Sequence, residues 1–490
     1  MKRNSSFIFA LGAGIILTVS SCRDESASNE EVRMDMSEAA ATPSVEEINT
    51  GEKYNEISEN TFVKASEKPI STFSIDADGG SYSNVRRMIM AGEKPNKDAV
   101  RIEEFINYFS YNYSGNSADN ITVNGEISDC PWTSGHKLVR IGIKGQETKF
   151  PKSNLVLLLD VSGSMSDENK LPLLKQCFKK LVNRLGEDDK ISIVTYAGEN
   201  RVVLTPTSCS NKNKIFAALD DLASSGSTNG SDAINKAYEL AEENFLKGAN
   251  NRILLATDGD FNVGITSQEA LIELIDVKRK SGIFLTTIGV GQGNYNDANM
   301  EALADHGNGT YEYIDNAEEG ERIFVSNFNR LFTIAKDVKV QIQFDTEMVK
   351  SYRLIGYENR MMQNEDFAND AKDAGDLGMG QSVTALYEII PAENTLGKSY
   401  FKIDFRYKKP NEEESKKIEM DVVNTGKSFE KSSEFMRFTA SVTGFGMLLR
   451  NSEYKGNVTY DKVIEWASDA SSDDNTKKEF VELVKKAERL

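Results

Sequence analysis

The chain has 490 residues, 58 Lys and Arg against 76 Asp and Glu, and a formal net charge of −18. Its 39% hydrophobic and 27% charged composition describes a core-forming chain of about three domains, and its acidity excludes nucleic acid as a main partner, because phosphate contacts need a cationic face. Two histidines, His136 and His306, exclude a His-built zinc or haem centre, and four cysteines without a CxxC pair exclude a Cys-cluster metal site. Any chemistry must run on carboxylates and hydroxyls.

The first segment reads as an address. Lys2 and Arg3 precede the apolar run Phe7 to Val19, which ends at Val19-Ser20-Ser21-Cys22. A charged start, a short apolar stretch and small residues before a cut describe an export signal over 1–21, too short to span a bilayer. Val-Ser-Ser-Cys resembles the bacterial lipobox, which implies that Cys22 carries the lipid and that lipid is the membrane attachment. A polar tract follows to residue 60 and is expected to be a flexible tether. Asp24 and Glu25 resemble the acidic signals that send some lipoproteins of Gram-negative bacteria outward. The expected location is the cell envelope, at the outer membrane.

From residue 61 to 150 the pattern predicts a strand at Ile70–Ile75 and a turn at Asp76–Ser81. Short helices follow at Val85–Met90 and Ile102–Phe109, then two half-buried strands at Ile121–Ile127 and Leu138–Ile143. Residues 151–318 change rhythm. The short apolar runs Leu155–Leu159, Ile191–Thr195, Ile253–Ala256 and Ile283–Ile288 alternate with amphipathic stretches, one marked by Leu171, Leu174, Phe178, Leu181 and Leu185, another by Ala233, Ala237, Leu240 and Ala241. Continuous apolar strands separated by helices predict a doubly wound α/β domain with a mainly parallel sheet covered on both faces. Alternation returns across 319–428, at Val338–Phe344, Thr384–Ile390, Tyr400–Tyr407 and Ile418–Val423. These strands and the pair before residue 150 flank the α/β unit, which predicts that it is inserted in one β-rich domain. Residues 429–490 read as a helical tail, with Phe435, Phe438, Val442 and Phe445 at helical spacing and a last segment at Phe480–Leu490.

In open α/β sheets, ligands bind at the carboxyl ends of the strands. The first α/β strand ends in Asp160-Val-Ser162-Gly-Ser164, whose alternating oxygens can turn toward one point. Such hard oxygens suit Mg²⁺, Mn²⁺ or Ca²⁺. Thr228, in a Ser- and Gly-rich loop before a helix, and Asp258, at the end of the strand Arg252–Thr257, add two more oxygens.

This D-x-S-x-S, Thr, Asp series resembles the metal-ion-dependent adhesion site of the von Willebrand factor A (VWA) domain family. The resemblance implies that Ser162, Ser164 and Thr228 ligate the metal directly. It gives Asp160 and Asp258 a role mainly through waters or as outer carboxylates, and leaves one position open for a partner's Asp or Glu. Thr72 to Arg86, Ala256 to Gly264, Gly291 to Asp297 and Val383 to Ile389 resemble a bacterial subfamily in which the VWA domain lies between an N-terminal extension and a C-terminal domain of unknown function, often on exported lipoproteins.

Rival motifs carry less. Asp258, Asp260, Asn262 and Glu269 mimic a calcium loop, but Val263 replaces its glycine and a strand precedes it. Gly289-Val-Gly291-Gln-Gly293 reads as a strand-exit loop and not a phosphate cradle. Asp76 and Asp78, together after a strand, could bind a second cation but read rather as exposed acids of a turn. No nucleophile elbow surrounds Ser162 or Ser164, and neither histidine is near them in sequence, so no catalytic residue is assigned and the chain is not read as an enzyme. Cys177 reads as a core filler, and the three cysteines left after Cys22 allow at most one disulfide. The function expected is cation-dependent binding of a protein partner by a lipid-anchored module; the alternatives are an assembly factor of an envelope complex and a metal-assisted hydrolase. The resemblance to adhesion-type relatives, in which the corresponding final helix moves on ligation, implies that the amphipathic stretch Ile323–Phe332 could relay occupancy to the β-rich domain.

Overall fold

A computed structural model describes residues 51–76, 78–197, 199–226, 231–259, 268–393, 397–410, 412–471 and 474–490. Three six-stranded sheets form among these residues. The central one runs Tyr311–Ile314, Phe284–Val290, Asn250–Thr257, Ser153–Asp160, Lys190–Ala197, Glu199–Ser208. All its pairings are parallel except the last, an antiparallel edge. Ser153–Asp160 is buried along its whole length, as a strand covered on both faces must be. The helices Leu171–Arg184 and Lys212–Asp220 pack over one face, and Ser231–Glu243 and Gln268–Lys278 over the other. The domain is therefore doubly wound.

The other two sheets draw strands from both sides of the α/β unit. Lys137–Gly145 pairs with Ser382–Pro391, and Ile70–Ser74 pairs with Thr333–Phe344, all antiparallel. The two sheets share one core, in which Phe73, Val340, Phe401 and Ile403 of one meet Ile121, Ile141, Tyr387 and Ile389 of the other. The α/β domain is thus an insertion in a β-sandwich. The chain leaves the sandwich from Lys137–Gly145 of one sheet and re-enters it at Thr333–Phe344 of the other.

Several expectations need correction. The tether was expected to reach residue 60, yet the chain is already docked from residue 52: Glu52 pairs with Arg87 at 2.9 Å, the Lys53 amide donates to the Tyr295 carbonyl, and Asn60 donates to the Gly356 carbonyl. The first helix spans Gly80–Ala91, longer than expected, and starts at Gly80, where a Cβ would collide with the Tyr311 ring. Residues 429–490 are helical as expected, and they pack against the first two helices of the chain. The helices Glu434–Arg450, Tyr460–Asp469 and Asn475–Ala487 close over Gly80–Ala91 and Ile102–Tyr108, with Phe109, Phe438, Phe445 and Phe480 in one aromatic core. The Ile323–Phe332 stretch is not one helix; Ala317–Glu321 runs into a π turn at Arg322–Ser326 and a 3-10 turn at Phe328–Leu331. Cys130, Cys177 and Cys209 are free and buried, so no disulfide joins them.

The largest correction concerns Asp76 and Asp78, which are buried, not exposed. Arg360 holds both, at 3.0 Å (Nε to Asp76 Oδ2) and 3.5 Å, and also Asp305 at 2.6 Å. Arg101 binds Glu104 and, at 2.5 Å, Asp297, and lies 3.5 Å from Glu301. Asp297, Glu301 and Asp305 belong to or border one face of the Asp297–His306 helix of the α/β domain, whereas the two arginines come from its flanks. This buried ionic seam ties the insertion to its host.

Candidate metal site and family

The Asp160 loop owes its shape to local hydrogen bonds. Asp160 Oδ1 accepts from the Ser162 amide at 2.8 Å, which turns the chain sharply after the strand, and Oδ2 accepts from the Thr257 hydroxyl at 2.9 Å. Ser162 and Ser164 then point the same way, with their hydroxyl oxygens 3.0 Å apart. Met165, fully buried, anchors the 3-10 turn Gly163–Ser166. Two further bonds join this loop to the segment before Thr228: the Ser225 amide donates to the Val161 carbonyl at 2.7 Å, and the Gly163 amide donates to the Gly226 carbonyl at 3.2 Å.

Because Ser153–Asp160 and Asn250–Thr257 are adjacent parallel strands, Asp258 emerges beside Asp160. Both carboxylates are fully buried, while Ser164 is exposed and opens the site to solvent. Burial pushes the Asp160 carboxyl up to about 6, with the Asp258 charge adding to it and hydrogen bonds from Ser162 and Thr257 opposing it. Asp258 Oδ2 accepts from Lys170 Nζ at 3.0 Å, but its Oδ1 is buried without a hydrogen-bond partner. A buried orphan carboxylate oxygen is costly unless a donor or a cation meets it. Hard oxygens, two buried carboxylates and one orphaned oxygen fit a divalent cation by their donor chemistry.

Asp160, Ser162, Ser164 and Asp258 are therefore gathered at one edge of the sheet. Thr228 and Asp260 lie outside the described residues, as does Cys22. Gly291 (φ +76°) and Gly293 (φ +96°) form the strand-exit loop beside the site, and the helix after it starts only at Asp297. The His136 ring hydrogen-bonds the Glu388 carboxylate at 2.6 Å and His306 pairs with Asp276 at 3.1 Å, both away from the serines in the fold. Among the described residues, Asp76, Glu104 and Glu301 bring carboxylate oxygens within 4.8 Å of one another, but the arginines of the seam already serve them. Sequence reasoning missed Thr257 and Lys170. The first is signalled by a hydroxyl at the strand end facing Asp160, the second only by the fold.

The doubly wound sheet with this loop at its carboxyl edge is a von Willebrand factor type A domain; the model of that family matches residues 154–334. A von Willebrand factor model matches 48–140, and one for the C-terminal region of uncharacterized protein YfbK matches 329–490. The uncharacterized protein YfbK of Escherichia coli is 39% identical over 470 residues, covering 89% of this chain and 81% of that protein. The chain belongs to the YfbK family. Inter-alpha-trypsin inhibitor heavy chain H4 of Homo sapiens is 32% identical over 132 residues, 25% of this chain and 14% of that protein. Among solved structures, a von Willebrand factor type A protein from Catenulispora acidiphila matches with a TM-score of 0.43 at 13% identity, over 74% of this chain and 89% of that one. The ArnB paralog VWA2 from Sulfolobus acidocaldarius gives 0.40 at 14% identity, over 75% and 96%.

Proposed function

We propose that this protein is a divalent-cation-dependent protein-binding module of the bacterial envelope, held by a lipid on Cys22 and presented on the segment that follows. A VWA domain is a module of protein–protein interaction and assembly; the finer reading concerns how this one grips its partner. Ser162, Ser164 and Thr228 hold the cation, Mg²⁺ first and Mn²⁺ or Ca²⁺ as alternatives, with Asp160 and Asp258 as supporting carboxylates. When bound, the cation supplies a local positive charge to which a partner's exposed Asp or Glu coordinates. The observation that carries this reading is the buried, partnerless Asp258 Oδ1 beside Asp160 and the two converging hydroxyls.

The chain's own residues perform the rest. The Ser162 amide and Thr257 hydroxyl orient Asp160, and the sheet register holds Asp258 at its side. Exposed Ser164 leaves the approach open. The net charge of −18 does not bar an acidic partner, because the Debye length is about 8 Å at physiological salt and the cation acts at contact. No helix among the described residues is long and apolar enough to cross a membrane, and the lipid on Cys22 supplies the attachment in this reading.

The test is thermal unfolding of the wild type and of Ser162→Ala, each with Mg²⁺ and with EDTA. Wild type is expected to gain stability with Mg²⁺ as mass action requires, and Ser162→Ala to lose most of that gain while remaining folded. An equal Mg²⁺ shift in both proteins would refute the assignment.

A further inference from the structure

Lys170 occupies an unusual place for a lysine. It immediately precedes the helix Leu171–Arg184, and its side chain is 6% exposed. Its ammonium donates to Asp258 Oδ2 at 3.0 Å and lies 3.9 Å from Asp167 Oδ2. A lysine stem ordinarily carries its charge outward to water. Here it runs inward across Gly291, which has φ +76° and where any Cβ would collide with the Lys170 stem. The glycine thus serves two purposes at once: it takes a left-handed backbone and clears a track that delivers the ammonium to one carboxylate of the site. The track leaves Asp258 Oδ1 without a partner.

We infer that Lys170 is the resident counter-cation of the site and sets its affinity for divalent ions. This deepens the cation-binding reading above and rests on it. Asp160 and Asp258 together offer two buried negative charges, and the ammonium reduces the total of this buried set to one; Asp167, 3.9 Å from the ammonium, is exposed and screened by water. A divalent ion therefore meets a weaker field, and the ion-loaded site carries a net positive charge that a partner's carboxylate completes. Ion and acid then bind with reciprocal coupling, each raising the affinity for the other, because the acid restores the charge that Lys170 cancels. With a neutral side chain at 170, the ion would bind tightly by itself and gain less from the acid. Lys170 is a positioning residue for Asp258 in this account and not a ligand of the ion.

The experiment is calorimetric titration of the full chain with MgCl₂, alone and in the presence of saturating acetate as the carboxylate probe. Wild type, Lys170→Met, Lys170→Arg, Asp258→Asn and the Lys170→Met/Asp258→Asn double variant are compared. Methionine keeps the unbranched stem over Gly291 and removes the charge; arginine keeps the charge, and Lys170→Gln is a second neutral variant should the methionine protein fail to fold. Lys170→Met is expected to bind Mg²⁺ at least tenfold tighter (about 1.4 kcal/mol). Lys170→Arg should stay within threefold of wild type, and the gain should vanish in the Asp258→Asn background. Acetate should tighten Mg²⁺ binding more in wild type than in Lys170→Met. Equal affinities of wild type and Lys170→Met, a gain that persists in the Asp258→Asn background, or a gain shared by Lys170→Arg each overturn the role of Lys170 while leaving the cation site standing. Binding by Lys170→Met but not by wild type supports Lys170 as the counter-cation and defeats a resident Mg²⁺ in the wild type. Binding by neither overturns both.

Discussion

Replacing Arg360 by Met tests whether the ionic seam, and not only apolar packing, holds the VWA domain to its host. The guanidinium serves three carboxylates at once, Asp76 at 3.0 Å, Asp78 at 3.5 Å and Asp305 at 2.6 Å, and Asp76 is wholly shielded from solvent. Removing one side of a buried ion pair typically costs about 3–5 kcal/mol, because the charge left behind keeps its desolvation penalty. Protonation offers partial relief. Burial already holds the Asp78 carboxyl well above the ordinary range, with Asp76 and Glu104 pushing the same way and Arg360 opposing. Without Arg360 that carboxyl takes up a proton more readily, so the loss should be about 3 kcal/mol or more at pH 8 and visibly smaller at pH 5.5. Urea unfolding at the two pH values gives the numbers, and hydrogen exchange over 297–306 shows whether the Asp297–His306 helix loosens first. A loss below about 1 kcal/mol at pH 8, or one that does not shrink on acidification, would refute this view of the seam.

Glu301 of the seam and Glu103, buried near its Asp76, predict a pH dependence in the wild type. Burial, with Glu358 nearby, pushes Glu103 up to about 8, and burial outweighs Arg101 to push Glu301 up to about 7. Their folded values exceed the unfolded value of 4.5, so their contribution is present below pH 4.5 and is lost as pH rises through 7 to 8. The unfolding free energy from urea titration should fall from pH 5 to pH 8, by up to about 1.4 kcal/mol per pH unit for each proton involved; a rise would contradict this. Phe438→Ala should cost about 3–5 kcal/mol, because Phe438 is fully buried between Phe109 and Phe480; a cost near zero in chemical unfolding would contradict this packing of 429–490. Gly320→Ala should destabilise by about 1–3 kcal/mol, since a Cβ there collides with the Cys177 thiol, and Gly320→Ala/Cys177→Ala should recover part of the loss in the same assay. A thiol reagent should leave Cys130, Cys177 and Cys209 unmodified in the native state and modify all three in denaturant, and a reductant should not shift the unfolding temperature.

The α/β domain and the loop after its first strand were legible in the sequence because their signals are local. Leu155–Leu159 is continuously apolar since both faces of the sheet are covered, and Asp160, Ser162 and Ser164 lie within one turn of the chain. The features that escaped depend on partners far along it. Asp76 looks like an exposed turn residue until Arg360, 284 positions away, is brought to it. Lys170 reads as an ordinary charge at a helix start, and only the parallel pairing of Ser153–Asp160 with Asn250–Thr257 sets Asp258, 88 positions on, within reach of its ammonium. The spacing of Phe435, Phe438 and Phe445 announced a helix but not the helix it covers, Ile102–Tyr108. The strand Val349–Ile355 went unseen because Lys350, Ser351 and Arg353 break its apolar pattern; Arg353 is buried all the same, paired with Glu388 at 3.2 Å. Helical spacing across Ile323–Phe332 was real, but the π turn at Arg322–Ser326 redirects the chain before one helix can form.

Cation-dependent capture of a protein partner is the claim on which the account stands. The direct measurement is capture of partners from detergent-solubilised membranes by the immobilised wild-type chain, in Mg²⁺ and in EDTA, with Asp160→Ala as control and each captured protein then titrated in purified form. The account predicts a partner that binds the wild type in Mg²⁺, is released by EDTA, fails to bind Asp160→Ala, and loses its affinity when its own contacting Asp or Glu is neutralised. A partner held equally well in EDTA and by Asp160→Ala would contradict it, and would mark the chain as a scaffold whose contacts lie away from the Asp160 loop.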